Sequence, residues 1–232
     1  MALSAHGRSH CSCGGVPLLV GRRDSASREM HLQIQEAVLN VLLLWLLTTP
    51  HEFAHAWVAT QLGDDTPRLQ GRLTLNPLAH VDWLGTTILP FVTTLLSGGF
   101  LGWGKPVFTQ TAKLRGGLNG LALVALAGPA SNVVMAVILA ILAVVTPVPA
   151  LASFLRQGVL LSLYLAIFNL LPVPPLDGSK LLLAARIPPA IYNEIARAGF
   201  MLLIVLVAFT RIGEYMSVWA YDGARAIFAA LP

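Results

Sequence analysis

A chain of 232 residues in which 56% are apolar and only 11% are charged departs from an ordinary soluble domain, where about a quarter of the residues carry charge. Mean hydropathy is +0.71 and the net charge is a modest +4, with basic residues scattered and not interleaved with aromatics. These values point to a lipid bilayer, exclude a nucleic-acid surface, and leave room for one domain of several packed spans but no second soluble domain of ordinary size.

Residues 1–29 hold Arg8, Arg22, Arg23 and Arg28 and no long apolar run, so they do not read as a signal peptide. Cys11 and Cys13 are too close for a disulfide between them to brace anything, and with His6 and His10 they are read as part of an unstructured tail. Met30 directly precedes the first apolar segment and is the expected native start. Residues 34–62 are expected to form the first helix, with 37–50 free of charge. The stretch 63–85 is polar and turn-rich, and the alternation in Arg68-Leu69-Gln70-Gly71-Arg72-Leu73-Thr74-Leu75 predicts a short strand or hairpin.

Residues 86–97 are apolar but cover only about 18 Å as a helix, and a glycine-rich stretch follows, so 86–110 is read as a re-entrant or bent hairpin, with a tilted full span as the competing reading. Residues 119–145 are the clearest span, closed by Pro147 and Pro149. A second uncharged stretch, 157–176, runs into Asp177, and 199–210 is the last apolar segment. The expected fold is an all-α polytopic membrane bundle of about 4–6 segments. A small β element follows its first helix, and a single domain over 30–232 has its core at 35–185.

The first helix carries His51-Glu52-Phe53-Ala54-His55. Residues four apart share a helix face, so both imidazoles can reach one zinc ion. Glu52, beside the first ligand, is placed to take a proton from water on that zinc and pass it to a leaving amine. Polar groups of this kind inside a membrane helix are costly unless they bind metal, pair, or face a cavity. A metal-binding or transport protein would use the same histidines without needing Glu52 as a base.

A catalytic zinc takes a third protein ligand and keeps one position open. The candidates are Asp177, Glu36, His80, Asp82 and Glu194. Asp177 stands out because it ends a 20-residue apolar run through Pro172, Pro174 and Pro175 and is followed by Gly178. Prolines break a helix there, and irregular backbone at membrane depth is tolerated only against protein or a wet cavity.

HEFAH in one span and Asn169-Leu170-Leu171-Pro172-Val173-Pro174-Pro175-Leu176-Asp177-Gly178 in a later one resemble the site-2 protease family of intramembrane zinc metalloproteases. Gly71-Arg72-Leu73-Thr74-Leu75-Asn76-Pro77 and Gly128-Pro129-Ala130-Ser131-Asn132 resemble its compact prokaryotic branch. The resemblance implies one zinc on His51, His55 and Asp177, with Glu52 as the acid/base. It also implies Asn132 and Asn169 along the site, and a transmembrane protein as substrate in the bilayer. Gly128 is expected to permit close helix packing, His80 to sit at the interface or near the site, and Trp83 and Trp103 to anchor at the interface.

In that family the zinc end of the helix faces the cytoplasm of a prokaryotic cell. Arg68, Arg72, Lys105, Lys113, Arg115, Lys180, Arg186 and Arg197 would then be cytoplasmic and Arg156 outside, which satisfies the positive-inside rule. The basic tail 1–29 would fall outside, against that rule.

Overall fold

The structure, a computed structural model, describes residues 20–97 and 102–231, leaving aside the side chains of 20–28, 97 and 208. Leucine and alanine build the first long helix, α1 (Val20–Gln61), of which Glu29–Gln61 is long and apolar enough to cross a bilayer. Residues 20–29 therefore continue α1, while 1–19, with Cys11 and Cys13, lie outside the described residues. One turn before the histidines, the hydroxyls of Thr48 and Thr49 donate back to the carbonyls of Leu44 and Trp45, so neither is left unpaired in apolar surroundings.

Three more helices are long and apolar enough to span: α4 (Leu118–Val145), α5 (Pro149–Asn169) and the first 19 residues of α7 (Pro189–Phe209). Short helices join them: α2 (Thr66–Leu69), α3 (Leu89–Ser97) and α6 (Gly178–Ala184), with α8 (Ile212–Ala229) at the C-terminal end. The fold is all-helical.

No strand occurs among the described residues, so the hairpin expected over 68–75 is corrected. Asp64 Oδ1 accepts from the Thr66 N–H and Pro67 sits in the first turn of α2, so the chain starts a helical turn. The apparent alternation is then inverted. Leu69 and Leu75 are exposed and Arg72 is buried. An alternating pattern makes a strand only where a neighbouring strand supplies hydrogen bonds, and none lies beside this segment.

Residues 83–97 form a short apolar helical stretch. Asp82 caps its start by accepting from the N–H groups of Leu84 and Gly85. The chain comes back to the same place: Trp103 N–H donates to the Gly85 carbonyl at 2.9 Å and Thr86 Oγ1 donates to the Trp103 carbonyl at 2.7 Å. Residues 102–110 form no regular element, and their backbone meets α1 and the turn after it, through the Val107 N–H on Glu52 and the Gln110 N–H on Asp64.

The core lies where α1, α4, α5 and α8 meet, filled by Leu44, Leu47, Ala136, Leu139, Val159 and Ala220. Small residues let these helices approach closely, which matters where lipid removes the hydrophobic drive for helix association. The outward faces are apolar, as Val134, Ile138, Ile141 and Leu142 of α4 show. Val173 and Leu176 of the proline loop pack with Leu203, which seats α7 on that loop. The polar residues His51, Glu52, His55, Asn132, Ser162 and Asp177 are buried, so the polar groups face inward and the apolar ones face lipid.

Candidate metal centre

α1 presents His51 and His55 one turn apart, with ring centroids 4.7 Å apart and planes nearly perpendicular. Asp177 comes from the loop between α5 and α6. Pro172, Pro174 and Pro175 stop α5 from continuing, and the chain folds back so tightly that a Cβ at Gly178 would lie 2.2 Å from the Leu170 carbonyl oxygen. That fold-back puts Asp177 at the start of α6, beside the two imidazoles.

Three ligand atoms converge. His51 Nε2 and His55 Nε2 are 3.1 Å apart, and Asp177 Oδ2 lies 3.1 Å from the first and 3.0 Å from the second. With zinc bonds of about 2.0–2.1 Å, the edges of a tetrahedron are about 3.3 Å. The triangle therefore has the size that a zinc ion requires. His55 Nδ1 is 2.7 Å from the Val124 carbonyl, which can only accept, so that nitrogen carries the proton and Nε2 keeps its lone pair for a metal. These donors fit zinc. His51, His55 and Asp177 are the one such group among the described residues, and Glu36, His80, Asp82 and Glu194 do not join it.

Glu52 is buried beside them, and its Oε2 accepts from the Val107 N–H at 3.0 Å. A cavity of about 160 Å³ holds His51, Glu52, His55 and Asp177 in its wall. Asn132 and Asn169 also line it. Asn132 is fully buried and its Oδ1 has no partner among the described residues, whereas the Asn169 amide donates to the Leu165 carbonyl.

Gly128 does more than allow two helices to touch. A Cβ there would lie 2.4 Å from His55 Nε2 and 2.6 Å from His51 Nε2, so α4 lies directly against both imidazoles. His80 is fully buried away from the triangle, with Nε2 on the Thr74 carbonyl, and burial pushes its imidazole below the usual range. Trp103 is part of the cavity wall and meets Phe200 of α7 edge-on.

Sequence reasoning missed Lys180 and the segment 102–107. Lys180 Nζ lies 2.9 Å from Asp177 Oδ1, and its i,i+3 spacing across Gly178 was the available signal. The glycines at 102 and 104 were the signal for a backbone that approaches the site closely: a Cβ at Gly104 would lie 3.3 Å from Glu52 Oε1.

The model of peptidase family M50 matches residues 148–207, the stretch that carries Asn169 and Asp177. Over a longer range the chain is similar to "Putative zinc metalloprotease YwhC" of Bacillus subtilis, 37% identical over 214 residues covering 82% of this chain and 91% of that protein. It is also similar to "Putative zinc metalloprotease Rip2" of Mycolicibacterium smegmatis, 33% identical over 194 residues covering 78% of this chain and 73% of that protein. No solved structure gives a significant match.

Proposed function

The chain belongs to peptidase family M50, the site-2 proteases, and on that premise we propose that His51, His55 and Asp177 hold its zinc and Glu52 moves the proton. The chain is a zinc-dependent intramembrane endopeptidase and an integral membrane protein. The observation that carries the residue assignment is the triangle of ligand atoms, 3.0–3.1 Å on each side, buried beside Glu52.

When bound, zinc polarises the scissile carbonyl and brings the pKa of a water towards neutrality. Glu52 takes a proton from the attacking water as oxygen adds to the carbonyl carbon. It delivers that proton to the amide nitrogen as the C–N bond breaks. The Val107 N–H fixes Oε2, so the carboxylate keeps one orientation and leaves Oε1 towards Gly104 and the cavity. Asn132 and Asn169 offer amide groups to the developing oxyanion or to the unpaired backbone of the substrate.

The substrate is a transmembrane segment of another protein. An intact helix buries its carbonyls in hydrogen bonds, so the segment must unwind before cleavage. Residues 102–107 bring backbone in no regular element beside the reactive groups, with Gly104 and Pro106 in the cavity wall. This segment offers backbone groups with which an unwound substrate can pair.

The active site faces the cytoplasm of a prokaryotic cell membrane. His55 lies six residues, about 9 Å, from the end of α1 at Gln61. Arg115 reaches the Gln61 carbonyl, which puts the basic loop at that same end. The test is Glu52→Gln in liposomes containing a transmembrane substrate. Zinc is retained and cleavage lost if Glu52 moves the proton, whereas a metal-binding or transport protein would keep its function.

A further inference from the structure

We infer that Lys180 is a positioning residue that fixes Asp177 as a one-oxygen metal ligand and keeps the fourth position of the metal open. The inference rests on the ligand set proposed above and extends it. The two oxygens of Asp177 have divided tasks: Oδ2 meets both imidazole nitrogens at 3.0 and 3.1 Å, and Oδ1 meets Lys180 Nζ at 2.9 Å. A carboxylate with an uncommitted second oxygen can rotate until both oxygens bind a metal, and a catalytic zinc needs that position for water or substrate. A charge-assisted bond from an ammonium holds the carboxylate against that rotation.

This pair differs from the other i,i+3 ion pairs of the chain. Among the described residues, Arg68 with Asp65, Arg197 with Glu194 and Arg211 with Glu214 have side chains 63–76% exposed, whereas Lys180 and Asp177 are 29% and 10% exposed. Solvated pairs of the first kind hold little orientation, because water competes for both partners. Lys180 also stands in the cavity wall with Glu52 and the ligands. Its place is set by α6, which begins immediately after Asp177, so the lysine and the carboxylate move as one unit.

The experiment uses the full chain in detergent, with zinc affinity measured by chelator competition and the visible spectrum recorded with cobalt in place of zinc. Lys180→Met, Lys180→Gln, Lys180→Arg and Asp177→Ala are compared with wild type. Outer ligands of this kind change metal affinity by about 10–100-fold. Lys180→Met is expected to weaken zinc binding within that range, and its cobalt bands to shift as the second oxygen of Asp177 takes a coordination position. Lys180→Arg is expected to restore both. Unchanged affinity and spectrum in Lys180→Met overturn the inference, as does a Lys180→Arg variant as defective as Lys180→Gln, a comparison that decides the matter if Lys180→Met does not fold. If Asp177→Ala leaves zinc affinity unchanged, the ligand assignment falls as well. If Asp177→Ala weakens zinc and Lys180→Met does not, only the Lys180 inference falls.

Discussion

The Val107 N–H donates to Oε2 of Glu52 at 3.0 Å, joining residues 55 positions apart. The contact ties Glu52, the proposed base on α1, to the segment 102–110. A hydrogen bond to a charged group is worth about 1.5–3 kcal/mol, or about 10-fold and upwards in a rate if it acts only in the transition state. Val107→Pro removes the donor and keeps an apolar side chain. It should lower kcat about 10-fold or more while zinc content stays at one per chain. Wild-type turnover of a reconstituted substrate by this variant would remove Val107 from the account.

Arg72 fixes the same segment from below. Its buried guanidinium donates to the carbonyls of Ala79, Lys105 and Pro106, the last two immediately before Val107. Arg72→Leu leaves three carbonyls without this donor, at about 1–3 kcal/mol for each that water cannot reach. The variant should melt several degrees below wild type. Arg72→Lys should recover only part of the loss, since an ammonium cannot reproduce the planar fork. Thermal melting in detergent measures both, and a full recovery by lysine would contradict the fork.

This arginine marks where the sequence was legible and where it was not. The grouping of His51, Glu52, His55 and Asp177 around one cavity was legible because a zinc hydrolase would need those side chains at those spacings and because a bilayer makes stray polar groups expensive. Asn132 and Asn169 were readable only through the family resemblance. Arg72 looked like a solvated loop charge, since its three partners are backbone carbonyls that leave no trace in side-chain identity. The strand at 68–75 failed for a related reason: alternation specifies two faces but supplies no neighbouring strand. The short apolar helix ending at Ser97 was legible because its apolar run was too short to cross and glycines followed it.

Gly128 gives a prediction in which two effects oppose each other. Alanine is the better helix former by about 1 kcal/mol, so Gly128→Ala should favour α4 in isolation. Its Cβ, however, would stand 2.4 Å from His55 Nε2, and either the ring or the helix must shift. Zinc affinity should fall by about 10-fold or more, as when the support of a metal ligand is lost. Chelator competition reads the affinity, and melting of the metal-free protein reads the fold. Retained affinity would mean that α4 has slack against the imidazoles.

Asp64 couples the end of α1 to the segment 102–110, and its effect depends on pH. Its oxygens accept from the N–H groups of Thr66 at 3.0 Å and Gln110 at 2.6 Å. Burial pushes its carboxyl up, but the hydrogen bonds from Thr66 and Gln110 outweigh burial and hold it below the usual carboxylate range. A group with a depressed folded pKa contributes stability that is fully present above its unfolded value, about 3.9, and is lost as pH falls through the folded value. Asp64→Asn should therefore lower the melting temperature at pH 7, and the gap from wild type should close as pH falls below about 4. The other carboxylates titrate in both proteins, so the difference between the two curves isolates Asp64. A gap that stays constant from pH 7 to pH 3 would show that the aspartate acts there through shape and not through charge.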